Sequence, residues 1–293
     1  MKAGKMRILL AVIGLFVSLA TVTAAASTAA GGVSNYDLVG TPYYQSVTRL
    51  EALGVLPADT PASYPVDNPV PRSYLAGTLI GMLPQTGGMV PAAEGPTQYS
   101  DVEAGSRLSG EVNLLDELNI MHGDGGLFRP ADAATWSETI RSVMSALYYG
   151  EGVNGFSDET VVRTAEQVGL IDQQNFNPDG IITMGQLARL VDKALFQVQL
   201  PGSRENLANR NFGVQFGTAW VKESPVTGAP YNNLVFDSQI GAVSVGTPLP
   251  LLLAPGLDVD SYLGQKVLVG VKDFGSGGQP GYQVVYLQRL PQN

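Results

Sequence analysis

Apolar residues recur at helical spacing in six stretches of the first two-thirds of the chain. Val47, Leu50, Leu53 and Val55-Leu56 form one row, and Leu75, Leu79 and Leu83 the next. Val112, Leu115, Leu118 and Ile120-Met121 are followed by Ile140, Val143, Met144 and Leu147. Val161-Val162, Ala165, Val168 and Leu170-Ile171 precede Leu187, Leu190, Val191 and Leu195. Side chains three or four apart share a helix face, so each row predicts an amphipathic helix. After Leu200-Pro201-Gly202-Ser203 the period changes. Short alternating runs take over at Val214–Val221, Asn233–Phe236, Lys266–Val271 and Tyr282–Leu287, separated by Pro and Gly clusters. Alternation of this kind predicts antiparallel strands.

The helical rows belong to an internal repeat. Tyr64–Leu83, Phe128–Leu147 and Phe176–Leu195 align without gaps over twenty columns. Each runs from an aromatic residue through a polar turn into a helix. Thr135 with Glu138, and Thr183 with Gln186, have capping-box spacing: the hydroxyl takes an orphan amide, and the acid or amide side chain reaches back. Pro71 holds the same column in the first copy, where its preset φ and missing N–H suit a helix start. Upstream of each helix pair lies an aromatic opener: Tyr36-Asp37-Leu38, Tyr99-Ser100-Asp101-Val102 and Phe156-Ser157-Asp158. A single helix pair cannot bury its own apolar face, whereas three together can. The expected fold is therefore a mainly α N-terminal module of three helix-loop-helix repeats in a pseudo-threefold bundle, followed by a small all-β barrel of OB or SH3 type. Expected boundaries are 34–95, 96–150 and 151–200 for the repeats, 201–211 for a linker and 212–293 for the β-domain.

Composition narrows the setting. Lys2, Lys5 and Arg7 precede the apolar run Ile8–Leu19, and small residues follow at Thr23-Ala24-Ala25-Ala26, as in a secretory signal peptide over residues 1–26. The alternative is a transmembrane anchor, but the run is shorter than the roughly 20 residues a span needs. The formal charge is −9. An acidic chain lacks the basic face that phosphate neutralisation requires, which argues against nucleic acid and against an anionic membrane after signal cleavage. With no cysteine there is no disulfide framework, thiol nucleophile, thiolate metal site or lipid-modified cysteine, so attachment to a cell must be non-covalent.

These repeats resemble S-layer homology repeats over residues 34–200. That family shows an aromatic-x-Asp-Val opener, a Gly-x-x-Asp-Gly-x-Phe-x-Pro loop and a Thr-Arg-Ala-Glu helix start. Tyr99–Val102 and Gly123–Pro130 match the first two. The resemblance implies attachment to cell-wall polysaccharide, often a pyruvylated polymer, through the arginine of the helix start and the opener aspartate. An arginine fork suits a carboxylate because two parallel charge-assisted bonds fix its orientation. Column nine holds Arg72, then Trp136, then Met184, so one copy of three keeps the cation. The glycan-binding candidates are Arg72, Trp136, Asp101 and Arg129.

Catalytic chemistry finds little purchase. His122 is the single histidine, and it adjoins no nucleophile elbow or His-Glu-x-x-His pair. Asp124-Gly125-Gly126 and Asn177-Pro178-Asp179-Gly180 lack the spaced oxygens of a calcium loop and read as turns. Asp258 and Asp260 fall in a loop before a strand and specify no glycosidase pair. The expectation is a secreted, non-catalytic surface protein with no cofactor and no metal, bound to wall polysaccharide or to a neighbouring surface protein. The alternatives are an assembly protein whose grooves have lost glycan, and a wall enzyme using the β-domain.

Overall fold

The computed structural model describes residues 35–84, 96–150, 157–172, 177–224, 233–237, 252–274 and 281–290. The expected signal peptide and the aromatic residues Phe156 and Phe176 lie outside these. The described residues form seven α-helices, α1 Tyr44–Ala52, α2 Arg72–Met82, α3 Arg107–Glu117, α4 Trp136–Ala146, α5 Asp158–Gln167, α6 Met184–Phe196 and α7 Leu207–Phe212. Five strands follow: β1 Gln215–Lys222, β2 Asn233–Phe236, β3 Leu252–Leu253, β4 Lys266–Asp273 and β5 Tyr282–Arg289. No described helix is long and apolar enough to cross a membrane.

Side chains set the helix starts. Ser106, Thr135, Ser157, Thr183 and Asn206 each accept the backbone N–H three residues on. Such a cap contributes about 1 kcal/mol by satisfying an amide that has no intrahelical partner. Thr183 and Gln186 complete a capping box. Thr135 and Glu138 make only half of theirs: Glu138 turns its carboxylate to Arg72 instead. A charge-assisted bond to guanidinium outcompetes a neutral amide.

Helices pack across the repeat boundaries rather than within them: α2 against α3, α4 against α5, and α6 back against α1. The segments leading into α2, α4 and α6 close a ring of backbone hydrogen bonds. Val70 N donates to Ile182 O at 3.0 Å, Ile182 N to Ala134 O at 3.2 Å, and Ala134 N to Val70 O at 2.8 Å. All three side chains are fully buried. The first amides of each helix then donate to the next segment's turn. Arg72 and Ser73 reach Asp132 O and Pro130 O; Trp136 and Ser137 reach Gly180 O and Pro178 O; Met184 and Gly185 reach Asn68 O and Val66 O. Orphan helix donors are thereby satisfied without water.

The sheet runs in the order β2-β1-β4-β5-β3, antiparallel except for the two-residue β3, which lies parallel to β5. Between β4 and β5 the register shifts: Gly270 faces Tyr286 and Val271 faces Val284, leaving Val285 as a bulge. A bulge puts two successive side chains on one side. Val285 and Tyr286 accordingly both enter the core formed by the helices, while Val284 and Leu287 join a smaller core on the opposite face with Val221, Phe236, Val267 and Val269.

This corrects the expected fold class. The chain is a mixed α/β fold, not a mainly α repeat module followed by an all-β barrel. Val214, Ala254, Val285 and Tyr286 share one continuous core with α1, α2 and α6. Phe196 at the end of α6 stacks on Tyr286 with centroids 5.1 Å apart and planes 6° from parallel. The described residues all belong to one compact unit. The stretch expected as a linker carries α7, whose Leu207, Ala208 and Phe212 are buried. The sheet is open: among the described residues β2 and β3 are its edges and do not pair with each other. A barrel needs that closure.

Candidate functional site

Three of the four candidate residues converge on Phe128. Its ring is fully buried and tilts against Tyr99 at 5.6 Å. The turn before it is built by Gly125 and Gly126 at φ 59° and 77°, closed by Asp124 N donating to Leu127 O at 2.9 Å. Asp101 clips the turn's exit. Its Oδ1 accepts Phe128 N at 2.8 Å and its Oδ2 accepts Arg129 N at 2.7 Å. Those amides, Phe128 first, hold the carboxyl below its ordinary pKa. Arg129 sits at φ 56°, a left-handed conformation uncommon for a residue with a Cβ, and the clip holds it there. Its guanidinium is half-exposed, 3.7 Å from Asp124 Oδ2.

Arg72 opens α2 and crosses to the same turn. Nε donates to Phe128 O at 2.7 Å and Nη2 to His122 O at 2.9 Å, with the guanidinium carbon 4.8 Å from the Phe128 ring centroid. Nη1 pairs with Glu138 in the first turn of α4. Burial, then the neighbouring Arg129, lowers the Arg72 pKa. The group nonetheless stays charged at neutral pH. Its side chain is 14% exposed and that of Glu138 23%. An anion reaching Arg72 therefore meets Glu138 in its place.

Trp136 begins α4, half-buried against the main core two residues before Glu138. Met184 begins α6 at 3% exposure, and Tyr64 Oη donates to its carbonyl at 3.1 Å. The polar position in column nine is thus confined to Arg72.

Two networks escaped the sequence reading. Asp116 accepts Tyr99 Oη at 2.8 Å and Gln98 Nε2 at 2.6 Å, and its Oδ1 lies 2.6 Å from His122 Nδ1. Tyr99 Oη also accepts Gly123 N at 2.9 Å, so the network supports the floor of the Arg72 site. His122 had no motif to advertise it, although its six-residue spacing from Asp116 was readable. The second network is a buried pair. Arg49 on α1 forks onto Asp192 on α6, with Nε at 2.7 Å from Oδ1 and Nη2 on Oδ2, and Ser46 Oγ adds a bond at 3.1 Å. No local pattern relates two charges so far apart in sequence. Asp258 serves its loop, accepting the amides of Asp260 and Ser261 at 3.0 and 3.3 Å.

No family model matches the sequence. The chain is 26% identical over 249 residues to a cell surface protein of Thermoanaerobacter kivui, spanning 80% of this chain and 30% of that protein. It is 26% identical over 152 residues to the middle cell wall protein of Brevibacillus brevis, spanning 52% and 14%. Against a surface layer protein of Brevibacillus choshinensis it is 23% identical over 241 residues, spanning 82% and 21%. The chain thus spans less than a third of the length of each. These likenesses are to proteins named for the cell surface, the cell wall and the surface layer, and they agree with the secreted, cell-surface location expected from the sequence.

Proposed function

We propose that the protein is a non-catalytic cell-surface component held to wall polysaccharide through the Arg72 site. The observation that carries this reading is the fixed guanidinium of Arg72, anchored to two carbonyls with its third nitrogen already holding a carboxylate, that of Glu138. An acidic sugar substituent takes the place of Glu138 on Nη1, and the half-exposed Arg129 adds a second positive charge. Asp101 does not touch the glycan in this scheme: it holds the turn. Trp136 lies at the start of α4 beside the next turn, that of Gly180, and takes no part in this scheme. The names of the relatives support a structural surface role.

The test is retention of the secreted chain on purified sacculi before and after extraction of secondary polymer. Wild type is held at least about tenfold more tightly by the unextracted walls than by the extracted ones, and Arg72→Ala loses that advantage, equivalent to one charge-assisted contact. Glu138→Gln binds more tightly than wild type, because it frees Nη1 while Gln can complete the capping box as Gln186 does. Equal binding of the unextracted walls by wild type and Arg72→Ala ends this reading.

One observation favours a second reading, a protein assembly role: Arg72 is neutralised internally, and the matching Met184 is buried. In that case sedimentation shows self-association, or a surface protein co-purifies, with no binding to walls.

A further inference from the structure

The helices cover only one end of the sheet face they pack against. On that face lie Phe216, Thr218 and Trp220 of β1, paired with Gly270, Leu268 and Lys266 of β4. Tyr286 and Gln288 of β5 continue the first two rows. Phe216 and Tyr286 are roofed by Phe196, with Phe216 to Phe196 at 6.5 Å. Two residues further along β1 the roof ends, and Trp220 is 42% exposed. Among the described residues, its neighbours on this face are the half-buried Val235 and Leu268 and a fixed polar group. Lys266 Nζ pairs with Asp237 Oδ2 at 2.7 Å, and Thr218 Oγ1 donates to Asp237 Oδ1. Val235 lies opposite Trp220 on β2, and Gln288 accepts Tyr286 Oη at 2.7 Å.

We propose that this uncovered end of the sheet is a saccharide-binding shelf, on which the Trp220 indole stacks against one face of a neutral pyranose ring while Asp237 and Lys266 hydrogen-bond its hydroxyls. The chemistry selects the occupant. An exposed indole is a flat apolar plane with a polar edge, suited to a ligand that is apolar on its ring face and wet at its rim. Asp237 and Lys266 offer acceptor and donor side by side, the pairing a vicinal diol needs. Both remain partly exposed, 32% and 40%, so their polar atoms are reachable without breaking the sheet. Their charges cancel, which makes the shelf neutral on a chain of net charge −9. An uncharged, hydroxyl-rich polymer complements such a surface. An anionic one meets the Asp237 carboxylate and the field of the whole chain. A protein interface core calls for contiguous apolar area and few charges, whereas here Trp220 and the half-buried Val235 and Leu268 lie beside a charged pair. The shelf is separate from the Arg72 site and does not depend on it, since the ligand there is an anion.

The experiment uses the full secreted chain. Its probes are sacculi stripped of secondary polymer with hydrofluoric acid, and chitohexaose as a soluble neutral glycan. Wild type and Arg72→Ala are retained on stripped sacculi, and chitohexaose quenches or shifts tryptophan emission in a Trp136→Phe background, where Trp220 is the reporter. Trp220→Ala and Asp237→Asn weaken binding by about tenfold or more. Trp220→Phe retains part of it, which separates lost stacking from misfolding. No binding to either probe by wild type, or full binding by Trp220→Ala, overturns the shelf. Self-association abolished by Trp220→Ala also overturns it, and assigns the surface to a protein contact.

Discussion

Replacing Asp192 with alanine tests the single-core architecture. Arg49 and Asp192 are 7% and 6% exposed, and the guanidinium lies 5.5 Å from the Phe196 centroid and 5.2 Å from that of Tyr286. The substitution removes both arms of the fork and the Ser46 bond. It leaves a buried cation with only two ring faces for company. Orphaning one member of a buried pair costs about 3–5 kcal/mol. A Coulomb estimate at an effective dielectric near 20 gives a similar figure, about 4 kcal/mol at 4 Å. Domain stability is typically about 5–15 kcal/mol, so this is a large fraction of it.

The assay is equilibrium urea unfolding, followed by far-UV circular dichroism for the helices and by aromatic emission. In wild type both probes report one transition, because α1, α6 and β5 meet at this pair. Asp192→Ala shifts the midpoint down without changing the slope. The double replacement Arg49→Met with Asp192→Leu recovers most of the loss, since an apolar pair of similar volume is often neutral or stabilising. A cycle closed with Arg49→Met and Asp192→Leu made singly then yields a coupling energy of about 1 kcal/mol or more. A cost below about 1 kcal/mol for Asp192→Ala, or separate transitions for helix and sheet in wild type, refutes the reasoning.

Two further predictions concern α2 and α3. Glu111 is buried at 4% exposure with Oε2 lacking a hydrogen-bond partner, and burial raises its pKa against the pull of Arg107. A raised folded pKa contributes stability below the unfolded value and loses it as pH rises through the folded one. Glu111→Gln therefore gains relative to wild type as pH climbs from acidic to neutral in thermal melts; a gain by wild type over that interval contradicts the assignment. At Gly81 an added Cβ falls 2.1 Å from Val55 O and 2.7 Å from Val55 C, backbone atoms that cannot rotate away. Gly81→Ala thus costs about 1–3 kcal/mol in chemical denaturation, and an unchanged midpoint shows that α2 is free to shift.

What could be read from the chain follows from the range of the interactions. Caps are local: Thr183 with Gln186 needs four residues, and it marks the start of α6 correctly. The same pattern at Thr135 and Glu138 is half-realised, because Arg72 competes from 66 residues upstream. Alternation marks β1, β2, β4 and β5, yet nothing in a period of two announces the bulge at Val285 that turns Tyr286 toward α6. Without that bulge the strands read as a separate barrel, which is how the expected fold class went astray. α7 was legible in retrospect. Asn206 caps it, Leu207, Ala208 and Phe212 form its buried face, and Gly213 at φ 66° ends it. The expected linker over 201–211 follows from the end of helical periodicity after Leu200, which the six residues of α7 are too few to restore.

The ring of helix starts gives each column-nine side chain the same seam to fill, between its own helix and the next turn. Met184 fills its seam with an apolar plug, and Trp136 half-fills another. Arg72 alone makes a polar seam, and its charge is already engaged by Glu138. An anion gains there only the difference between its own bond and the one it displaces, so the seam by itself gives weak attachment. The Trp220 shelf is of another kind, neutral and on the opposite third of the chain. If both proposals hold, two weak sites for different polymers of one wall act as an intramolecular pair, and their avidity would exceed either affinity by about 10²–10⁴ when both can be reached at once. Rigid coupling of helices to sheet through Arg49, Asp192, Phe196 and Tyr286 holds the distance between the two sites constant. On this account the buried pair matters to attachment as well as to stability: loosening it in Asp192→Ala weakens retention on intact walls more than it weakens binding of chitohexaose to the shelf alone.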